Sequence, residues 1–384
     1  MTSRGRPWLE EREAATQETR YYGIYHSPRK PAQGALGAAT LGQTPARNEH
    51  VTVTITIVGG SGFIGAHLTR RLRADGHDVR IVDIAPSRVT PVESILADVR
   101  DEDALRRAFA GVQAVVHLAA EHRDDVTDPS RYYAVNVDGM SAVCRAAEYA
   151  GVSRIIFTSS VAVYDFRARQ PIDELTTPAP STHYGRSKLL AEQVLEEWRN
   201  GSEDRRAVII RPTAVFGEGS KGNILTLIAS IRAGRFVMVG RGRNRKSLCH
   251  VGNLVSLMTL LLRETPRELT INAVDKPDLT MEALVRLIRK ELGISRLIDR
   301  IQIPYSVAIA SGEAASLVGR VMGRDVQTTV LRIRKFKAET VVESKIFGEL
   351  PLESRVPLEE GLQRMIQAFE HESSQLGPGP TGIR

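Results

Sequence analysis

"VTVTITIVGGSGFIGAHLTRRLRADG", residues 51–76, decides the fold. Apolar residues alternate at Val51, Val53, Ile55 and Ile57, the period of a β-strand. The chain then turns through Gly59, Gly60, Ser61 and Gly62. From Phe63 onward the apolar residues Phe63, Ile64, Leu68 and Leu72 recur at a helical step, and Gly76 stands where the helix should end. Strand, glycine-rich turn and helix together form a dinucleotide-binding fingerprint. Gly60 permits the tight turn, Gly62 lets the backbone approach a pyrophosphate, and Gly65 lets helix and strand pack closely. The N-terminus of the helix then faces the phosphates.

The pattern alone is not specific, because "GEGSKG" (217–222) matches it too. The following strand separates the two. After the first motif, "HDVRIVDIAPS" forms a strand ending at Asp83, whose carboxylate suits a ribose 2′-hydroxyl; no acidic strand end follows the second motif. Asp83 favours NAD over NADP, since a 2′-phosphate would meet a like charge, although Arg88 lies a few residues on. A third strand, "SILADV", ends at Asp98, which is placed to reach an adenine. Strand-end solvation is the plain alternative for both acids. The strands "GVQAVVHLAA" and "VSRIIFTSS" flank the helical "AVNVDGMSAVCRAAEYAG". This alternation predicts a Rossmann-type α/β fold, a doubly wound parallel sheet, with a smaller C-terminal substrate-binding α/β region. His117, at the end of the fourth strand, reads as a packed histidine.

The totals bound the function. The chain has 384 residues, 42% hydrophobic and 25% charged, with a formal net charge of +7. The basic residues are mostly scattered and no nucleic-acid module is present, so no nucleic-acid partner is expected. "GRGRNRKS" (240–247) is the dense exception, either a solvated loop or a clamp for a phosphorylated ligand. No apolar run is long enough for an integral membrane segment; "VAIASGEAASLVG" carries Glu313 in its middle. Cys144 and Cys249 are far apart, which predicts no metal site and fits a reducing cytoplasm. Residues 1–50 are rich in Gly, Pro and Ala and read as a flexible extension. Residues 51–212 read as the NAD-binding domain, and 213–384 as the substrate-binding region with some return to the first.

"HYGRSKLLAE" (183–192) places Tyr184 and Lys188 one helical turn apart on one face. An ammonium there favours phenolate over phenol, which suits the tyrosine to moving a hydroxyl proton. Two ordinary polar residues give the same spacing. With this stretch in view, "GGSGFIG", "VVHLAA", "FTSSVAVY", "YGRSK" and "RPTAVFG" resemble, in order and spacing, the motifs of the extended short-chain dehydrogenase/reductase family. That family includes NAD-dependent sugar epimerases and dehydratases, and the resemblance runs from about Val51 to beyond Gly361.

The resemblance implies that Tyr184 is the general acid/base and that Lys188 lowers its pKa and bonds the nicotinamide ribose. Ser160 would bond the reacting oxygen, with Ser159 or Thr158 as alternatives. Asn136 would support the lysine through water, unless it is a helix N-cap. Cofactor contacts are expected at Gly60, Gly62, Phe63, Ile64, Gly65, Asp83, Asp98, Ala119 and Lys188, and substrate contacts at Asn223, Arg245 and Lys246. Two departures from the family pattern stand out: Ala214 replaces an asparagine, and His250-Val251-Gly252-Asn253 replaces His-Val-Asp-Asp. The expected activity is 4-epimerisation of a nucleotide sugar through a keto intermediate. The alternatives are a 4-keto-sugar reductase, a hydroxysteroid-type dehydrogenase and a silent cofactor-binding sensor. A homodimer is expected through the helices at 136–150 and 184–198, with Leu190, Val194 and Trp198 as spare apolar positions.

Overall fold

The computed structural model describes residues 52–123, 125–167, 171–264, 266–294, 302–310 and 337–375. The expected N-terminal extension lies outside the described residues, as does Glu313. In chain order the first elements are β1 (Thr54–Val58), α1 (Phe63–Ala74), β2 (Asp78–Asp83), β3 (Glu93–Leu96), α2 (Glu102–Phe109) and β4 (Ala114–His117). Next come α3 (Ser130–Tyr133), α4 (Gly139–Ala150), β5 (Arg154–Thr158), α5 (His183–Asn200) and β6 (Arg206–Pro212). Then follow β7 (Ala214–Phe216), α6 (Asn223–Arg232), β8 (Met238–Val239), β9 (Arg245–His250), α7 (Val251–Glu264) and β10 (Glu268–Ala273). The last are β11 (Asp275–Thr280), α8 (Met281–Glu291), β12 (Gln302–Ile303) and α9 (Leu358–Gln375).

The chain divides into two units. The larger takes Met1–Thr213, Gly252–Ala273 and Glu343–Arg355; the smaller takes Ala214–Val251, Val274–Val342 and Val356–Arg384. In the larger unit seven parallel strands lie in the order β10-β6-β5-β4-β1-β2-β3. The order reverses between β1 and β4, and open α/β sheets bind ligands outside the strand ends at such a switch point. The predicted Rossmann-type sheet is therefore the observed one. Its central strands β1, β4, β5 and β6 are buried on both faces, so they read as near-continuous apolar runs such as Ile155, Ile156 and Phe157, whereas the edge strand β3 is largely exposed. Each fully buried aliphatic side chain contributes about 1.5–3 kcal/mol.

One reading needs correction. Leu190, Val194 and Trp198 of α5 are buried, and they pack in the same core cluster as Met140 and Val143 of α4. They are core residues of this unit, not a spare apolar face for a second copy. Helical periodicity shows that a face is apolar but not which surface covers it.

The smaller unit holds a three-stranded sheet, β11-β9-β7, and the short parallel pair β8 and β12. Its core gathers Phe216, Ile228, Leu248, Leu284, Leu362 and Met365. "GEGSKG" follows β7 in this unit.

At Gly65, in the first turn of α1, a Cβ would lie 2.6 Å from both the Cα and the carbonyl oxygen of Gly60. The backbone cannot yield there without opening the glycine turn. Gly65→Ala is expected to lower stability by about 1–3 kcal/mol in urea unfolding and to abolish retention of the dinucleotide. A variant as stable as wild type would show that the close packing is unnecessary.

Candidate active site

The glycine turn presents backbone donors. The N-cap of α1 is Gly62, which caps with no side chain, and the helix has no acidic residue in its first turn. Its first N–H groups therefore lack a partner from the cap and are free for anionic oxygens. Asp83 fixes the turn: its carboxylate accepts from Ser61 N at 2.9 Å and Ala85 N at 3.0 Å. Gly59, with φ +86°, passes so near β4 that a Cβ would stand 2.4 Å from Ala119 N. Phe63 and Ile64 open the helix and are half-buried. Glycines, capless helix and strand-end acid fit a dinucleotide pyrophosphate and ribose.

Asp98 lies beyond the end of β3, and its carboxylate is gripped by Arg100 at 2.8 and 2.9 Å. The Arg100 hydrogen bond holds it below the usual carboxylate range despite partial burial. Sequence reading missed two neighbours. Leu96 pairs in register with Asp83, and Ile84 follows it; they are 70% and 71% exposed. Such apolar surface suits a flat adenine ring.

The tyrosine-lysine helix is fixed at its start. Thr182 caps α5 by accepting from Gly185 N at 3.0 Å. Gly185, beside Tyr184, packs so tightly that a Cβ would lie 2.2 Å from the carbonyl oxygen of Ala162. Ala162 N in turn donates to Ser160 Oγ at 3.1 Å. The first turn of α5 and the short 3-10 turn after β5 therefore touch backbone to backbone, which brings the segment of Ser160 against that of Tyr184. The Tyr184 ring lies 6.2 Å from that of Tyr132, centroid to centroid.

Lys188 is buried. Its Nζ donates to the carbonyl of Thr158 at 2.8 Å and stands 4.5 Å from the centre of the Phe157 ring. Burial lowers its pKa from the ordinary value to about 7, opposed by the charge of Glu192.

The three hydroxyls before Tyr164 differ in their surroundings. Thr158 Oγ1 is buried with no hydrogen-bond partner, Ser159 Oγ donates to the Glu192 carboxylate, and Ser160 is half-buried with Oγ accepting from Ala162 N. Ser160 keeps its own proton to donate, whereas Ser159 has spent its proton.

Asn136 lies in a π-helical turn, Ala134–Asp138, between α3 and α4, rather than at a helix N-cap. It bonds both backbone groups of Glu121, at 2.8 and 3.1 Å, and donates to Ser187 Oγ at 2.8 Å. Its direct contact is thus with the neighbour of Lys188. His117 stacks on Phe157 with ring centroids 5.4 Å apart, and burial pushes its pKa down to about 3, so it is neutral in working conditions.

The expected substrate residues lie in the smaller unit. Asn223 is exposed at the first position of α6. Arg245 pairs with Glu339 at 3.1 Å, and Lys246 donates to the Ala338 carbonyl. Burial lowers the Lys246 pKa to about 8. A cavity of about 360 Å³ is lined by Arg241, Arg243, Asn244, Tyr305, Lys337 and Glu339, among others. The basic cluster was visible in the sequence, but the arginines that line the cavity are the two preceding the expected pair. Among the described residues no group of His, Cys, Asp and Glu has the arrangement of a metal site, and no helix is long and apolar enough to cross a membrane. Cys144 and Cys249 are buried and form no disulfide with one another.

The family model described as "NAD dependent epimerase/dehydratase family" matches residues 55–273. The chain is 39% identical over 315 residues to an N-acetyl-alpha-D-glucosaminyl-diphospho-ditrans,octacis-undecaprenol 4-epimerase of Escherichia coli O157:H7, covering 82% of this chain and 94% of that protein. It is 30% identical over 227 residues to a UDP-glucose 4-epimerase of Yersinia pestis, covering 52% of this chain and 64% of that one. Among solved structures it resembles a UDP-glucose 4-epimerase of Thermotoga maritima with a TM-score of 0.67 at 22% identity, over 83% of this chain and 99% of that one. The chain belongs to the NAD-dependent epimerase/dehydratase family. It is an NAD-dependent enzyme of the Rossmann-type short-chain dehydrogenase/reductase class.

The contact at Gly185 generates a test. Gly185→Ala must displace the Ala162 carbonyl, and with it the turn that carries Ser160. Turnover is expected to fall about 100-fold or more, since a misplacement of about 1 Å has that effect, while NAD stays bound. Wild-type turnover in that variant would contradict the close approach.

Proposed function

We propose that the protein is a 4-epimerase acting on a sugar joined through a diphosphate to a carrier. One observation supports this reading: Lys188, one turn from Tyr184 on α5, donates to the Thr158 carbonyl at the end of β5, and the backbone beside Tyr184 packs on the turn that follows Ser160. Tyr184 takes the proton of the 4-hydroxyl, and the charged Lys188 favours its phenolate. Ser160 donates its hydroxyl proton to the oxygen that becomes the ketone. Bound NAD supplies a hydride acceptor that becomes the donor for the return step. With the 4-keto sugar turned over and reduced on its other face, Tyr184 would give the proton back to the oxygen. Gly60, Gly62, Gly65 and the α1 N-terminus hold the pyrophosphate, Asp83 the adenosine ribose, and Ala119 shapes the wall beside Gly59. Asp98 lies within the adenine side of that site.

The basic cavity of the smaller unit, where Arg241, Arg243 and Lys337 offer charge and Asn244 a neutral donor, suits a diphosphate. Asn223, Arg245 and Lys246 border that function, the last two through the segment they hold at 338–339. The relative from Escherichia coli favours a polyprenol carrier, since the similarity spans nearly all of that protein. The relative from Yersinia pestis supports a nucleotide carrier, the second reading. A reductase of 4-keto sugars uses the same residues once and must exchange its cofactor at each turnover. A cytoplasmic location and a homodimer belong to the same proposal; Tyr149, 72% exposed at the end of α4, is the apolar group that face offers.

Denaturing the purified protein is expected to release near-stoichiometric NAD. The protein is then expected to interconvert the 4-epimers of N-acetylglucosaminyl-diphospho-polyprenol, and UDP-N-acetylglucosamine more slowly. Tyr184→Phe is expected to lower kcat by about 100- to 10,000-fold. A protein that emerges empty and consumes reduced nicotinamide stoichiometrically is a reductase, and a Tyr184→Phe variant with wild-type turnover would overturn the mechanism.

A further inference from the structure

"HYGRSKLLAE" ends in a residue that the reaction above does not use. Tyr184, Lys188 and Glu192 follow one another at single helical turns along one face of α5. Glu192 is 2% exposed, yet both its carboxylate oxygens are bonded. Oε1 accepts from Ser159 Oγ and from Arg211 Nε at 2.9 Å, and Oε2 accepts from the Arg211 guanidinium at 2.6 Å. Arg211, also buried, donates at 2.8 Å to the hydroxyl of Tyr164, which donates in turn to Asn272 Oδ1 at 3.1 Å. Asn272 donates to the Glu343 carbonyl at 3.0 Å. A buried polar chain therefore joins α5, the end of β5, β6 and β10.

The place where this chain meets β5 gives it meaning. Ser159 stands between Thr158, whose carbonyl receives Lys188, and Ser160. Helix α5 is thus tied to the end of β5 at two points one turn apart, Lys188 to Thr158 and Glu192 to Ser159. A single tie leaves a helix free to roll about it, while two fix rotation and translation together. The groups that face Lys188 are few. His117 on β4 is neutral, Phe157 on β5 offers only its ring, and Glu192 on α5 is the buried anion whose charge opposes the desolvation of the lysine. Arg211 on β6 is paired with Glu192 and accounts for much of its charge. If stability alone were at stake, an apolar pair of similar volume would serve as well as a buried ion pair.

We propose that Glu192 is a positioning residue for the reaction: through Ser159 it sets the register of Ser160, and one helical turn from Lys188 it is the counter-charge on the face that carries Tyr184. The inference rests on the epimerase reading, because it assumes that Tyr184 needs a charged lysine. Without Glu192 the lysine loses its proton at lower pH, and a neutral amine no longer favours the phenolate. Activity should then fail on the alkaline side at lower pH than in the wild type.

The test is an NMR titration of the Lys188 side-chain amine in the NAD-loaded protein, assigned with Lys188→Met, alongside the pH profile of kcat. In Glu192→Gln the lysine is expected to titrate about one pH unit lower, the alkaline limb to move with it, and kcat to fall about tenfold or more. Glu192→Asp keeps the charge and is expected to titrate near the wild-type position. A Glu192→Gln variant with wild-type titration and an unmoved limb would reduce the residue to a structural ion pair and overturn the proposal. Should that variant fail to fold, Ser159→Ala decides, because it cuts the second tie and leaves the charge. Its kcat is expected to fall several-fold with KM and limb unchanged, and wild-type kcat would overturn the proposal. A shifted lysine titration in a protein inactive on every sugar tested would keep the electrostatic assignment and sink the epimerase reading instead.

Discussion

The site depends on a buried ammonium. Lys188 has lost its water, and its Nζ donates to a strand-end carbonyl that sheet pairing holds in place. Desolvation of a charge is costly unless hydrogen bonds and counter-charge offset it. That demand constrains everything nearby. The helix must arrive close enough for the bond, so Gly185 replaces any residue with a Cβ; an anion must lie within reach, and Glu192 is one turn away.

Much of this was legible in the sequence because it is local. The alternation at Val53, Ile55 and Ile57 and the glycines after it specify strand, turn and helix through backbone chemistry that acts within a few residues. The sheet, its strand-end acids and the identities of Tyr184 and Lys188 could be read in that way. What could not be read depends on residues distant in sequence. Glu192 stood in the quoted stretch, but its partner Arg211 is on another strand, and the spacing gives no sign of the pair. Leu190, Val194 and Trp198 showed a face without showing that α4 covers it. For Asn136 the sequence left a helix N-cap open beside the support of Lys188, because sequence does not announce a π-helical turn. In the basic loop the charge was evident, whereas the backbone path that directs Arg241 and Arg243 to the cavity and Arg245 to Glu339 was not.

The two units divide the labour that the family name joins. The larger provides a rigid sheet with the cofactor turn and the proton-handling helix, both at the carboxyl ends of parallel strands. The smaller provides a basic cavity on its own short sheets, and its composition suits an anion rather than a particular sugar.

The central claim is that the hydrogen at C4 leaves the sugar as hydride and returns to the same carbon without meeting water. The direct test uses N-acetylglucosaminyl-diphospho-polyprenol carrying deuterium at C4 and analyses the epimerised product. The account predicts that deuterium stays at C4 in both epimers, with slower turnover than for the unlabelled sugar. Loss of the label to solvent would show that C4 is deprotonated rather than oxidised, and it would contradict the roles assigned here to NAD and Tyr184.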